Sequence, residues 1–509
     1  MIKNSLVLLG AGLALCACGG QDEDAGQGNA RGKLIGAPEL QATLPATTLL
    51  AQLSGNSSTQ LWLDVFGAPQ CDVQSYHLRY STVGGANEAT DASTALMLPS
   101  GSSAACHGAR PIVMYAHGTT TDRAYNIANL NDQSNAEGLI IAASFAAQGY
   151  IVVAPNYAGY DTSTLAYHPY LNADQQSKDM IDALTVARSV LPLPTASDTT
   201  DNGQLFITGY SQGGHVAMAT QRAMQAAGMK VNAAAPMSGP YAVAAFGDAV
   251  FEGEVDLGAP IFATLLITGY QKAYGNLYSD PGTVFEAQYA SSISSLLPST
   301  VTRSELYAQG KLPQTALFSS TPPDPAYASM TPATQPANLA AVFALGFGAG
   351  NLVTNSYRLS YLQDAQANPD GGWPTTTNAA PAAAPAHPLR RDFKLNDLRN
   401  WSPTAPVLLC GGDGDPTVFW LNAQLMQAYW AVAAPTISLT VLDVDSAASS
   451  NDPYAILKTK FSVTKQLLAA SAVVNGATDG GASAVAQAYH GTLVPPFCLA
   501  AVKSFFAAH

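Results

Sequence analysis

Leu205–Gly214 reads LFITGYSQGG and runs on into HVAMATQRAMQAA, closed by Gly228. LFIT is a short apolar run of strand type, and the residues from Gln212 to Ala227 read as a helix with a glycine stop. Between them stands Gly209-Tyr210-Ser211-Gln212-Gly213, a G-x-S-x-G. In a chain with 43 glycines the five letters alone carry little. Their setting carries more. A strand that turns sharply into a helix lifts the Ser211 hydroxyl clear of a sheet edge, and residues without Cβ fit at 209 and 213, where strand and helix backbones converge. The helix N-terminus beneath Ser211 favours negative charge developing there. The alternative is a glycine-rich strand-to-helix turn that holds an ordinary serine.

Outward from this turn, strands and helices alternate. Tyr76–Val83 and Thr94–Pro99 read as paired strands, and Pro111–Ala116 and Tyr150–Pro155 as buried central strands. Ala136–Gln148 and Ala173–Val190 read as helices, and Val231–Pro236 as a further strand. This alternation predicts an α/β protein with a mostly parallel sheet covered on both faces. It breaks over residues 241–400, where Ala/Leu-rich helical patches are separated by proline-rich stretches such as Thr375–Pro388. It resumes with strand Pro406–Cys410, helix Trp420–Ala433, strand Ile437–Val444 and final helix Pro495–Ala508. Residues 46–240 and 401–509 are thus two parts of one sheet domain, and 241–400 an insertion forming a helical cap. A separate C-terminal domain would orphan the strand at Pro406–Cys410. There are no internal repeats.

Five segments share a pattern: YAHGTT (115–120), GYIVVAPNYAGYDTSTLAYHPYL (149–171), GYSQGG (209–214), GGDGDPTV (411–418) and YHG (489–491). Over most of residues 75–509 they resemble the secretory lipase branch of the α/β-hydrolase superfamily. The resemblance implies an α/β-hydrolase fold and a carboxylic-ester hydrolase acting through Ser211, Asp415 and His490, with the insertion as a lid over an acyl pocket. Two departures stand out. The insertion is long and shows no opening hinge, and a lipid anchor suits a tethered esterase as well as a freely secreted lipase.

A serine hydroxyl needs a base, and the base an orienting acid. Asp415 stands three residues after Gly412 and before a Pro-x-Val segment, where this superfamily carries its acid; Asp413, Asp443 and Asp445 are its rivals. Of eight histidines only His490 and the terminal His509 follow Asp415. His490 sits in a polar, small-residue stretch read as a loop ahead of the last helix, whereas a chain end frays. His117, in the loop after the strand at 111–116, and His215, on the helix behind the serine, suit structural roles. A tetrahedral intermediate needs two amide donors. Gln212 supplies one, and Thr119, with Thr120 as second choice, the other. The aromatic residues Tyr270, Tyr274, Tyr278, Phe343 and Phe347 fit either a hydrophobic acyl or aryl pocket or a packed core.

Bulk properties agree with an exported enzyme. The apolar fraction is 48%, the charged fraction 11% and the net charge -13, from 22 Lys+Arg against 35 Asp+Glu. That composition excludes a disordered or coiled-coil chain, and its sign disfavours nucleic acid. Residues 1–18 read as a lipoprotein signal, with Lys3, the apolar run Leu6–Leu15 and a lipobox-like LCACGG that makes Cys18 the acylated residue. An ordinary signal peptide cut slightly later is the alternative. Residues 19–45 read as a flexible tether, Gly19 pointing to the outer membrane or cell surface, possible secretion included. Cys71, Cys106, Cys410 and Cys498 can pair in three ways; Cys71–Cys106 and Cys410–Cys498 join residues of the same chain end, with free buried thiols as the alternative. No spacing suggests a metal, and the chemistry requires no cofactor. A monomer is expected, meeting a small-molecule or lipid ester and touching membrane only through its anchor. Two other functions remain open: an exported serine peptidase of the same fold, and a non-catalytic surface-binding lipoprotein.

Overall fold

The structure is a computed structural model that describes residues 31–55, 62–63, 65–132, 135–193 and 198–509. The signal segment, Cys18 and the tether up to residue 30 lie outside the described residues.

Nine strands form one sheet in the order β1-β2-β3-β5-β4-β6-β7-β8-β9. They are β1 Leu34–Leu44, β2 Asp72–Val83, β3 Ala89–Ser100, β4 Ala109–Ala116, β5 Ile151–Pro155, β6 Thr200–Tyr210, β7 Ala233–Met237, β8 Val407–Gly411 and β9 Leu439–Asp443. The first three pair antiparallel, β3 pairs antiparallel with β5, and the remaining pairs are parallel. The sequence explains the difference. β5, β7 and β8 are buried along their whole length because crossover helices cover both faces.

Side chains alternate between two cores. Val113, Tyr115, Val152 and Phe206 pack with Ile141 of helix Ala136–Ser144 and with Phe497 and Val502 of helix Val494–Ala507. Ile112, Met114, Val153 and Ile207 face the other way, onto Met180 and Leu184 of helix Ala173–Val190 and Val216 and Met224 of helix Gln212–Ala226. The disulfides join Cys71 to Cys106 and Cys410 to Cys498.

Between the end of β7 and the start of β8 the chain makes a long excursion with its own apolar core, including Leu265, Tyr270, Phe285, Phe318, Tyr361 and Phe393. Its longer helices are Val243–Phe251, Ala259–Tyr274, Asn355–Ala367 and Pro388–Asn396. Two buried arginines lock its ends: Arg390 pairs with Asp248 and Asp364, and Arg399 with Asp370 and Asp397.

Three expectations need correction. The tether does not extend to residue 45, because Leu34–Leu44 pairs with β2 as an edge strand, with register shifts after Ile35 and Leu40. Its half-exposed, interrupted pattern hid it from sequence reading, since an edge strand needs little apolar surface. The stretch around His490 is no loop but a π-helical turn, Tyr489–Leu493, continuous with the final helix. The 20-residue helix Ala455–Val474 ahead of it was missed; it buries one residue, Phe461, and so shows almost no apolar stripe of its own.

Candidate active site

The turn between β6 and helix Gln212–Ala226 holds Ser211 at φ 60 and ψ -123, a conformation a non-glycine residue adopts only when its surroundings enforce it. Those surroundings are backbone. A Cβ on Gly209 would stand 2.3 Å from the Gly213 carbonyl oxygen, and one on Gly213 would stand 1.9 Å from the Ala116 carbonyl oxygen. The two glycines let β4, β6 and the helix meet closely enough to force the serine out of the sheet.

Three side chains converge there from distant parts of the chain. His490 Nε2 lies 2.8 Å from Ser211 Oγ, and His490 Nδ1 lies 2.7 Å from Asp415 Oδ2. Asp415 is 1% exposed, and its Oδ1 accepts from the amides of Thr417 (2.9 Å) and Val418 (3.1 Å). The rival aspartates lie around it. Asp413 is exposed, Asp443 accepts from the Asp413 and Asp445 amides, and Asp445 accepts from the Tyr489 hydroxyl at 2.6 Å and pairs with Lys465. They brace the turn that carries Asp415. Tyr489 fits under that turn, since a Cβ on Gly412 would come 2.5 Å from its hydroxyl oxygen. The Cys410–Cys498 bridge ties the strand before Asp415 to the helix after His490.

The amides of Gln212 and Thr119 have no hydrogen-bond partner among the described residues, and both residues line space that opens on Ser211. One segment that sequence reading quoted without assigning a role holds both. Within His168-Pro169-Tyr170, the His168 Nε2 accepts from the Gln212 side-chain amide at 2.7 Å, and the Tyr170 hydroxyl meets Thr119 Oγ1 at 2.8 Å. His168 is buried, with Nδ1 donating to the Ala158 carbonyl oxygen at 3.0 Å, and burial pushes it down to about 3, so it stays neutral. His117 and His215 are likewise buried, held by carbonyls, and neutral through burial, His215 being pushed down to about 4. The Thr120 carbonyl oxygen accepts from the Tyr160 hydroxyl at 2.7 Å.

Two spaces meet at Ser211. One is a cavity of about 100 Å³ beneath the insertion, lined mainly by apolar groups such as Val243, Phe246, Phe262, Leu266 and Phe393, with Gln212 and Asp256. The other is an open cleft bounded by His490, Thr119, Tyr115, Glu137 and Arg303. Glu137 also accepts from the Gly118 amide at 3.0 Å and from the Tyr115 hydroxyl at 2.7 Å, which fixes the loop before Thr119. None of the aromatic residues singled out from sequence lines the cavity: Tyr270 and Phe343 are core, and Tyr274, Tyr278 and Phe347 pack against it. Periodicity marks a buried aromatic residue but not which side of a helix faces the hole.

A hydroxyl, an imidazole and a buried carboxylate in hydrogen-bonded sequence at a helix N-terminus, mounted on this sheet order, decide the chemistry. The chain is a serine hydrolase with the α/β-hydrolase fold. Comparisons agree. Residues 140–249 of this hydrolase match the model of the prolyl oligopeptidase family. A structure of the rice cell wall degrading esterase LipA from Xanthomonas oryzae is 26% identical, covers 85% of this chain and 94% of that chain, and gives a TM-score of 0.62. A ligand-bound form of the same esterase is 24% identical, covers 93% and 98%, and gives 0.65. A protein described only as a hydrolase, from Legionella pneumophila, is 18% identical, covers 94% and 98%, and gives 0.62. No curated protein matches the chain significantly. Among the described residues no cluster of His, Cys, Asp and Glu could hold a metal ion, and no helix is long and apolar enough to cross a membrane.

Proposed function

We propose that this hydrolase cleaves carboxylic esters with a hydrophobic acyl group through an acyl-enzyme on Ser211. His490 takes the Ser211 proton, the alkoxide attacks the ester carbonyl, and the Thr119 and Gln212 amides hold the oxyanion. Asp415 keeps Nδ1 of His490 protonated and its ring aimed at the serine. His490 then protonates the departing alcohol, and water repeats the sequence to release the acid.

The observation that carries the reading is the apolar cavity beside Ser211, which His490 does not line. The leaving alcohol must receive its proton from His490, so it belongs in the open cleft that His490 does line. The cavity is left for the acyl chain. A peptidase reading is favoured by the match of residues 140–249 to the prolyl oligopeptidase family, a stretch that surrounds the serine turn and reaches the first helix of the insertion. A peptide chain, however, carries an amide at every residue, and a mainly apolar cavity leaves those groups unpaired. Comparing p-nitrophenyl acyl esters with aminoacyl anilides tests this. Ester turnover rising with acyl length supports the reading, and anilide turnover above ester turnover overturns it. A native protein that a fluorophosphonate does not label would instead be a surface binder.

Export with lipidation at Cys18 completes the proposal, supported by the two disulfides, which form in oxidising compartments. Metabolic labelling with palmitate should mark the wild-type protein and not C18S; label retained in C18S refutes the anchor.

A further inference from the structure

Asp256 is a carboxyl in the wall of a mainly apolar cavity, 8% exposed, and no other described residue hydrogen-bonds it. Three other polar groups of the cavity wall are already engaged, while the Gln212 side-chain oxygen has no partner among the described residues. Ser211 Oγ faces His490, the Tyr170 hydroxyl faces Thr119, and the Gln212 amide nitrogen is held by His168. We propose that Asp256 is a specificity-determining anchor for a hydroxyl group on the acyl chain, so that the preferred substrates are esters of hydroxylated fatty acids. This rests on the esterase reading above and on the assignment of the cavity to the acyl chain.

The segment around Asp256 is firmly placed. The Leu257 amide donates to the Pro416 carbonyl oxygen at 2.9 Å, which seats Asp256 beside the turn that carries Asp415, and the Ala259 amide donates to the Asp256 carbonyl oxygen as helix Ala259–Tyr274 begins. Burial, reinforced by the Asp415 carboxylate, holds the Asp256 carboxyl well above the usual carboxylate range. A neutral carboxyl offers one O–H donor and one carbonyl acceptor, which together match a hydroxyl. The Asp256 carboxyl accepts from its own backbone amide but from no other described residue, and a substrate hydroxyl supplies a further partner. A plain acyl chain fills the same space and leaves the carboxyl with its own backbone amide alone, which is the physical basis of discrimination.

The test uses p-nitrophenyl octanoate, a series of p-nitrophenyl hydroxyoctanoates differing in hydroxyl position, and an amino-bearing counterpart. At the best hydroxyl position the wild-type protein should favour the hydroxylated ester by about tenfold in kcat/KM. In D256L that ratio should collapse to about one, and in D256N, which keeps one donor and one acceptor, it should be partly retained. Fluorophosphonate labelling of each variant shows that its site is assembled. A wild-type protein that hydrolyses octanoate but shows no preference at any hydroxyl position overturns the inference while leaving the esterase reading intact. A preference that survives in D256L, or a stronger one for the amino-bearing chain, also overturns it. Failure to hydrolyse any of the esters overturns the esterase reading itself.

Discussion

At the scale of single residues, the site depends on groups with no free alternative. Ser211 is the atom donor for covalent chemistry, so S211A should lower kcat by about 10⁶-fold and abolish fluorophosphonate labelling. Asp415 works through the imidazole. D415N keeps the shape but favours the wrong tautomer of His490, and kcat should fall by about 10⁴-fold with KM little changed. Steady-state kinetics of the two variants checks both; a D415N enzyme within tenfold of wild type would mean that a neighbouring aspartate substitutes. Gly213 is constrained by sterics alone. A methyl group there meets the Ala116 carbonyl oxygen at 1.9 Å, and that atom belongs to backbone in the centre of the sheet. G213A should therefore destabilise the fold by about 2–4 kcal/mol, read from denaturant unfolding. The serine and its flanking glycines were legible in the sequence because only glycine permits that turn, and the late histidine was legible through the chain order of the superfamily the sequence resembles. Asp256 was not legible, since nothing near it in the chain signals a carboxyl facing a cavity.

At the scale of elements, the informative segment is His168-Pro169-Tyr170. It touches neither Ser211 nor His490 through a hydrogen bond, yet it holds the side chains of both residues whose amides are proposed to hold the oxyanion. His168 is a positioning residue. H168A should lower kcat by about 10–100-fold while KM changes less, because the loss falls on transition-state stabilisation. Y170F removes the hydroxyl that meets Thr119 and should give a smaller loss of the same kind. A loss confined to KM in H168A would assign the segment to substrate binding instead. The π-helical turn at Tyr489–Leu493 makes a similar point. The sequence placed the base just before the last helix, but the polar, small residues there read as loop. Packing of Tyr489 against Gly412 and Gly414, and of the Tyr210 hydroxyl against the His490 carbonyl oxygen at 2.6 Å, winds the stretch into helix.

At the scale of the whole molecule, the second half of the sheet domain is tied internally by a disulfide, and the insertion is tied internally by buried charge. Breaking the bridge in a C410S/C498S variant should cost about 2–5 kcal/mol and lower the activity half-life on heating, as the bond closes a long loop and joins the carriers of Asp415 and His490. The pH response combines opposite contributions. Burial and the neighbouring Glu252 push Glu254 up to about 8. The folded chain therefore keeps a proton that the unfolded chain gives up near about pH 4.3. Its contribution to stability is full below that range and is lost as pH rises through about 8. His168 and His215 act in the reverse sense. Their folded values of about 3 and about 4 lie below the ordinary histidine value, so their contribution is present above about pH 6.5 and is lost as pH falls through it. E254Q removes the first effect alone. Its stability should exceed that of the wild type more at about pH 9 than at about pH 5, by an amount on the order of 2 kcal/mol. Parallel melting curves across that range decide it; a constant offset would show that Glu254 does not titrate with folding.

The sequence by itself determined the alternation of strands and helices, the position of the long interruption, and the order serine, aspartate, histidine along the chain. These follow from short-range rules: periodicity of apolar residues, glycine where backbones converge, and the connection rules of a parallel sheet. Tertiary structure alone decided that Leu34–Leu44 closes the antiparallel edge, which aspartate faces His490, that His168 and Tyr170 hold the Gln212 and Thr119 side chains, and which side chains line the cavity beside Ser211. Each of these depends on contacts between segments tens to hundreds of residues apart. A side chain's neighbours across such a distance are set by how the layers pack, and local sequence carries no record of that.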